Sequence, residues 1–457
     1  MYKSFDVEKL TMKLTVIAEH IHGQLQGHDL EVQQFSTDTR TITQGDVFIA
    51  LSGANFDANA FLKTAEERGA VAAIVTQYHA DSALPQIVVA NTQLALGQLA
   101  KAWREQFDVL RVAITGSSGK TTTKELTASI FRQAGETLAT LGNKNNEIGV
   151  PLTLLGLNDS HRYGVFELGA NHQGEIAYTC GLVQPHAVVI NNVGTAHLEG
   201  FGGRDGIAKA KGEIFSGLLA NGTAIINLDD EFASYHSALA KNHKMVTFST
   251  QDQHANIYAT DAKRLVGGAW AFNLHIAEQS TPIQLQLIGQ HNIANALAAA
   301  ALSWACGLTL PQIQMGLNQA QAAAGRMVLH RRGAITVIDD TYNANPNSMK
   351  AAMDELALCS GRRVVVLGAM GELGDDAASL HQEVGEYAHA KQLDALYCVG
   401  NFSEATARGY GDAAQVFSEQ SALITALQAE CAQEEVTLLI KGSRSARMEN
   451  VVQALIN

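Results

Sequence analysis

The sequence predicts an α/β protein of three units, in which mainly parallel sheets are covered by helices on both faces. Three observations carry this. Short apolar, β-branched runs recur without polar alternation, as in Val165-Phe166-Glu167-Leu168, Ala187-Val188-Val189-Ile190 and Ala224-Ile225-Ile226-Asn227, which marks strands buried on both sides. Stretches with helical spacing fill the intervals. The length of 457 residues allows about three domains.

Composition narrows the class. With 46% hydrophobic and 17% charged residues the chain is globular. A formal net charge of -13 argues against nucleic acid or an anionic membrane as general partner, since both need a basic field. The first residues mix Lys3, Asp6, Glu8 and Lys9 with no apolar segment of a secretory signal. The most apolar long run, Ile293 to Leu310, is rich in alanine, contains Asn295 and Ser303, and reads as one packed helix rather than a membrane span. Cys180, Cys306, Cys359, Cys398 and Cys431 stand too far apart for a zinc or redox motif and read as buried thiols of a reducing cytosol.

Residues 1–89 form the first unit, a small α/β module. It contains Ser36-Thr37-Asp38-Thr39-Arg40 and Gly53-Ala54-Asn55-Phe56-Asp57; Asp38 and Arg40 are either a local ion pair or a polar clamp on a ligand. A helix follows from Asn91 to Phe107. The second unit, 90–326, opens with the most informative stretch of the chain. Strand Val112 to Ile114 runs into Gly116-Ser117-Ser118-Gly119-Lys120-Thr121, and a helix pattern continues from Thr122 to Phe131. Such a turn aims backbone N–H groups and a helix N-terminus at one spot, Lys120 adds a charge suited to phosphate, and Thr121 a hydroxyl suited to Mg²⁺. The residues call for a nucleoside triphosphate.

Ligands of parallel sheets sit at the C-terminal strand ends, which selects the polar residues to inspect next. Glu167 ends its strand, placed either to face Mg²⁺ or to cap a helix. His197 follows the next strand at the same edge. Lys209 and Lys211, two apart on a helix, point to different faces, so at most one turns inward with Ile214 and Phe215. Asn292 and Asn295 lie one turn apart and suit either a base edge or a helix cap. Ala322 to Met327, with Gly325 and Arg326, reads as a hinge.

The third unit, 327–457, repeats the pattern. Strand Ile335 to Ile338 delivers Asp339-Asp340-Thr341-Tyr342-Asn343-Ala344-Asn345, strands Arg363 to Leu367 and Ala395 to Val399 follow, and strand Val436 to Ile440 delivers Lys441-Gly442-Ser443-Arg444-Ser445-Ala446-Arg447. That last loop is basic in an acidic protein, which suits phosphate or carboxylate recognition.

Together T-G-S-S-G-K-T, G-N-K-N-N-E-I-G-V-P from Gly142, E-L-G-A-N-H-Q-G-E-I, A-H-L-E-G-F, A-K-A-K-G-E-I-F, G-Q-H-N-I-A-N-A, the Asp339 to Ser348 loop and K-G-S-R-S-A-R-M-E resemble the Mur ligases, ATP-dependent amide synthetases of peptidoglycan precursor assembly. The resemblance covers the chain after about Met12; Met1 to Thr11 extend beyond it and carry no assigned role. It implies a central phosphate-loop ATPase-type domain between a small N-terminal α/β domain and a Rossmann-like C-terminal domain. Within the family the chain is most similar to the branch that joins D-alanyl-D-alanine to UDP-N-acetylmuramoyl-tripeptide. Relatives that form the tripeptide carry D-N-P-R where this chain has Gly400-Asn401-Phe402-Ser403. Ala369 stands where an acid is expected.

The resemblance further implies that Gly116 to Thr122 hold ATP, with Asn292 and Asn295 at the adenine, Arg326 at the γ-phosphate, Asp340 at the ribose and Asn345 beside the nucleotide. Two Mg²⁺ ions would be held by Thr121, Glu167, His197 and Lys211, the last carbamylated by CO₂. Lys120, Glu167, His197, Lys211 and Arg326 are thereby the catalytic set. Ser36, Asp38, Arg40, Asn55 and Phe56 would hold the uridine diphosphate end, with Asn143, Asn145, Asn146, Lys441, Ser443 and Arg444 facing substrate. The implied protein is a cytoplasmic monomer without nucleic-acid partners, and its third unit closes about Gly325 when ATP binds. Two other readings remain open on sequence: a folylpolyglutamate synthetase-like enzyme, and a nucleotide-dependent switch.

Overall fold

The computed structural model describes residues 10–53, 56–195, 198–431 and 435–457. Of the residues singled out above, Asn55, His197 and the side chains of Phe56 and Cys431 lie outside the described set, as do residues 1–9.

Three larger sheets organise the chain. The first holds β1 (Gln24–Gln26), β2 (Gln34–Ser36), β3 (Asp46–Ile49), β4 (Ala72–Val75) and β5 (Gln86–Val88) in the order β1-β5-β4-β3-β2, with only β1 antiparallel. Its buried Val47, Ile49, Ile74 and Ile87 merge with the core around Trp103. Trp103 lies on α1 (Thr92–Arg104), which starts where the Asn91 side chain accepts from the Leu94 N–H at 2.9 Å. Phe35 meets the Trp103 ring edge-on at 5.4 Å.

The second sheet has nine strands: β6 (Leu110–Thr115), β7 (Thr137–Ala139), β8 (Tyr163–Glu167), β9 (Ala187–Ile190), β10 (Thr223–Asn227), β11 (Lys244–Ser249), β12 (Ile257–Arg264), β13 (Ala269–Ile276) and β14 (Gln279–Ile288). Their order is β7-β8-β6-β9-β10-β11-β12-β13-β14. The first seven run parallel; β13 and β14 are antiparallel additions. The missing alternation in the sequence now has its cause: Val112, Ile114 and Val189 are buried on one face, and Ala113, Phe166 and Val188 on the other. The antiparallel extension was not anticipated, although β13 alternates Trp270, Phe272, Leu274 and Ile276 inward.

The run Ile293 to Leu310 is two helices rather than one. α5 (His291–Ala305) stops at a turn through Gly307, and α6 (Leu310–Gln319) begins anew behind a Thr309/Gln312 capping box. Helix α6 lies along the outer edge of β14, where its Asn318 carboxamide oxygen accepts from Gln284 N–H at 2.8 Å and its Gln314 amide donates to the Pro282 carbonyl at 2.9 Å.

The third sheet, β15 (Val328–Arg332), β16 (Ile335–Asp340), β17 (Arg362–Gly368), β18 (Ala395–Val399), β19 (Ala414–Phe417) and β20 (Val436–Lys441), runs β15-β16-β20-β17-β18-β19. All are parallel except β15. Helix α7 (Pro346–Ala357) follows β16. Among the described residues no helix is long and apolar enough to cross a membrane. Cys180 and Cys398 are buried, whereas Cys306 and Cys359 are only half-buried, which corrects the expectation for those two.

Candidate active site

Strand β6 sits at the point where the order of the central sheet reverses, with β8 on one side and β9 on the other, so the loop after it opens into a crevice. The helix after that loop, α2 (Lys120–Phe131), begins at Lys120, two residues earlier than expected. Gly119 precedes it with φ 79°, and a Cβ there would lie 2.3 Å from the Asn295 carboxamide. Only glycine lets the loop pass this close. Ser118 N–H donates to the Asn192 side chain at 2.9 Å, and Ser117 Oγ accepts from Gly194 N–H at 2.9 Å, so the segment after β9 clamps the loop.

The crevice is a cleft of about 790 Å³ whose walls come from both the second and third sheets. Its chemistry converges on Thr121, whose hydroxyl donates to Glu167 Oε2 at 2.8 Å and accepts from Arg326 Nη2 at 2.9 Å. Asn145 donates to the other Glu167 oxygen at 2.8 Å. Glu167 is 2% exposed. Arg326 stacks on Tyr342, 4.1 Å from the ring centroid, and its Nε–H is buried without an acceptor among the described residues. An unmet cationic donor beside a helix N-terminus fits an arriving anion. Lys120 Nζ rests on the Gly116 carbonyl at 2.8 Å. Burial lowers the Lys120 ammonium below its ordinary value and Arg326 adds to that, while Glu167 and Glu372 oppose it.

The third unit reaches the same loop. Asn345 caps α7 by accepting from Ser348 N–H at 2.9 Å, and its amide donates to Ser118 Oγ at 3.2 Å. Asp340 pairs with buried Lys441, which also donates to the Asn343 carbonyl at 2.9 Å. Lys441 therefore serves inside the protein rather than as a free head of the basic loop. Arg444 pairs with Glu449 at 3.0 Å, and Arg447 has no ion pair among the described residues.

Asn292 and Asn295 line the cleft, both nearly buried, with Asn295 donating to Asn292 at 2.8 Å. Asn143 and Asn146 line the cleft as well. On helix α4 (Arg204–Gly212), placed after α3 (Glu175–Val183), Lys209 is exposed and Lys211 is 2% exposed, so the inward lysine is Lys211. Its Nζ lies 5.8 Å from the Phe201 ring centroid and no carboxylate pairs with it among the described residues. Burial, with the charge of Lys120, lowers its pKa to about 7. Among the described residues the cleft lining takes nothing from Ser36 to Arg40. There Asp38 and Arg40 form an exposed ion pair at 2.6 Å, which holds the Asp38 carboxyl at about 2.

Glu167 and Thr121 are hard oxygen donors held side by side, a set that suits Mg²⁺ with phosphate oxygens completing the shell. Sequence reasoning passed over Asn192, which orders the loop, and Tyr342, which orients Arg326. Asn192 follows a buried strand at the ligand edge, and that position was the available signal.

The Mur ligase middle-domain profile matches residues 114–303, and the Mur ligase glutamate ligase domain profile matches 325–444. The UDP-N-acetylmuramoyl-tripeptide--D-alanyl-D-alanine ligase of Escherichia coli (strain K12) is 46% identical over 98% of both chains. Among solved structures, MurF from Acinetobacter baumannii superposes with a TM-score of 0.93 at 40% identity, covering 98% of this chain and 100% of that one. MurF from Thermotoga maritima in complex with ADP gives a TM-score of 0.82 at 26% identity, covering 93% of this chain and 97% of that one. Because the two matched segments hold the walls of the cleft and the relatives align from end to end, the chain belongs to the Mur ligase family.

Proposed function

We propose that this protein joins D-alanyl-D-alanine to the terminal carboxylate of UDP-N-acetylmuramoyl-tripeptide, converting ATP to ADP and phosphate and giving UDP-N-acetylmuramoyl-pentapeptide for peptidoglycan. The supporting observation is the junction at Thr121, where the phosphate loop, the acid Glu167 and the cation Arg326 share one hydroxyl.

A carboxylate is a poor electrophile. Its oxygen attacks the γ-phosphorus of ATP, the bond from that phosphorus to the ADP oxygen breaks, and an acyl phosphate forms. The dipeptide amine, once its ammonium proton has left, attacks the acyl carbon and the carbon–oxygen bond to phosphate breaks. Lys120 and Arg326 steady the charge on the transferring group, and the protein's larger contribution is alignment of three substrates. Asn292 and Asn295 face adenine, Asp340 the ribose, and Asn345 the loop that carries the phosphates. Thr121 and Glu167 would hold one Mg²⁺, and His197 and Lys211 a second; bound there, magnesium would neutralise charge on phosphoryl oxygens. Burial lowers the Lys211 ammonium's pKa and so favours the neutral amine, which can add CO₂ and release a proton to become an anionic carbamate; that suits a cation where an ammonium would repel it.

Ser36, Asp38, Arg40, Asn55 and Phe56 hold the uridine diphosphate end, and Asn143, Asn145 and Asn146 face the muramoyl peptide. A second cavity of about 610 Å³ adjoins Lys120 and is lined by Glu372, Ser443, Arg444 and Arg447. Its mixed charges suit the ammonium and carboxylate of a dipeptide. The domains divide as 1–89, 90–326 and 327–457, with the third closing about Gly325; scattering that showed no compaction with an ATP analogue and the UDP substrate would count against closure. The protein works as a cytoplasmic monomer, since ATP is supplied there and one chain furnishes the cleft.

The test is phosphate release with each substrate omitted in turn, and mass spectrometry of the product. A ligase releases phosphate only when both co-substrates are present. Release independent of D-alanyl-D-alanine would overturn the proposal in favour of a nucleotide switch.

A further inference from the structure

Helix α7 touches the nucleotide-binding unit at both ends. Its N-terminal end is the contact of Asn345 with Ser118. Ten residues on, about 15 Å along the axis at helical rise, stands Glu355. This carboxylate is 2% exposed, rare for a glutamate without a purpose in the interior. Its Oε1 accepts from the backbone N–H of Gln290 at 2.6 Å. Its Oε2 lies 3.5 Å from Arg264 Nε, and Arg264, on β12 of the central sheet, also donates to the Leu358 carbonyl just past the end of α7 at 3.2 Å.

The segment so gripped leads straight to the base end of the cleft. Ile288 belongs to the central sheet, yet it is buried in the core of the third unit beside Met349, Met353 and Leu356. Its carbonyl accepts from the Asn292 amide at 2.7 Å, and the Asn292 oxygen accepts from Asn295 at 2.8 Å. Between them Gly289 turns with φ 106°, where a Cβ would lie 2.4 Å from the His291 ring. Both cleft amides thus take their orientation from a stretch that the third unit holds.

We propose that Glu355 is a positioning residue for the nucleotide: by fixing Gln290 it sets Asn292 and Asn295 and keeps them in register with Asn345 at the far end of α7. The inference rests on the reading that ATP occupies the cleft. A buried acid that merely filled the core would pack as well against any residue of the same size. Glu355 instead accepts a backbone N–H at the start of α5, so its loss frees the part-buried Gln290 N–H and with it the entry of the helix.

The test uses the full chain with Glu355→Leu, Glu355→Gln and Arg264→Ala. Affinity for ADP is measured by calorimetry, steady-state kinetics by phosphate release, and exchange of the Gln290 amide by mass spectrometry. Glu355→Leu should raise the KM for ATP and the Kd for ADP about tenfold, leave the KM for D-alanyl-D-alanine within about twofold, and speed exchange around Gln290. Glu355→Gln keeps an acceptor oxygen and should recover most of the affinity. Unchanged ADP affinity in Glu355→Leu, or an equal loss for all three substrates, would overturn the proposal. Should that variant fail to fold, half-exposed Arg264 gives the alternative: Arg264→Ala should weaken ADP about threefold, and no weakening overturns the proposal. If the unaltered protein bound ADP but ligated nothing, the ligase reading would fall while the role of Glu355 remained measurable.

Discussion

Two lysines two positions apart show how much is decided by single residues. Lys209 is exposed and Lys211 fully enclosed, although their sequence context is nearly the same. The residue types alone established that at most one faces inward; the packing of Ile207, Ala208 and Ala210 beneath α4 shows which. On the role proposed for Lys211, Lys211→Ala is expected to lower kcat by about 10² or more, because the anion that would hold the second Mg²⁺ is lost, and Lys209→Ala to stay within about twofold of the unaltered enzyme. Carbon-13 NMR with labelled CO₂ should show a carbamate signal that vanishes with Lys211→Ala and persists with Lys209→Ala. The rest of the site was legible to differing depth. Lys120, Thr121 and Glu167 were visible because each stands next to a buried strand. Tyr342 and Glu355 were not, since their partners Arg326 and Gln290 are 16 and 65 residues away in the chain and only packing joins them.

Among the elements, strands were the most readable. Ala187–Ile190 and Ala395–Val399 have the expected limits because both faces are buried and the apolar run ends where burial ends. Helix limits depend on caps instead. The alanine-rich run divided at Gly307 because a turn there and the Thr309 capping box outweigh continuous hydrophobicity. Helix α7 allows capping and contact to be separated. Asn345→Asp retains a cap oxygen but removes the amide that reaches Ser118, so stability should hold within about 0.5 kcal/mol while the KM for ATP rises. Asn345→Ala removes both, and chemical denaturation should show about 1 kcal/mol lost as well. Equal kinetics for the two variants and the native enzyme would mean that the Ser118 contact contributes nothing to ATP binding.

Over the whole molecule, burial lowers the pKa of His161, His186, His236 and His381 below the ordinary imidazole value. The unfolded chain therefore binds protons that the folded one refuses, so stability is retained above about pH 6.5 and is lost as pH falls below it. Thermal unfolding at pH 7.5 and pH 5.5 should give the lower Tm at the acid end. A flat profile would show that these imidazoles titrate normally. The arrangement of three α/β units could be anticipated because parallel strands announce themselves as unbroken apolar runs. The antiparallel end of the central sheet went unread since its strands alternate, a period shared with any half-solvated hairpin.

The outermost strand of that sheet, β14, is ten residues long, and a bare ladder of that length would recruit a strand from a neighbouring molecule. Asn318 and Gln314 of α6 take one N–H and one C=O in the middle of that edge, at Gln284 and Pro282, and the helix lies across it, so it acts as a guard against fibril-like stacking. Exchanging both for alanine should leave ligation intact in fresh protein yet bring on concentration-dependent turbidity and thioflavin binding with time, as uncapped edges seed their own precipitation.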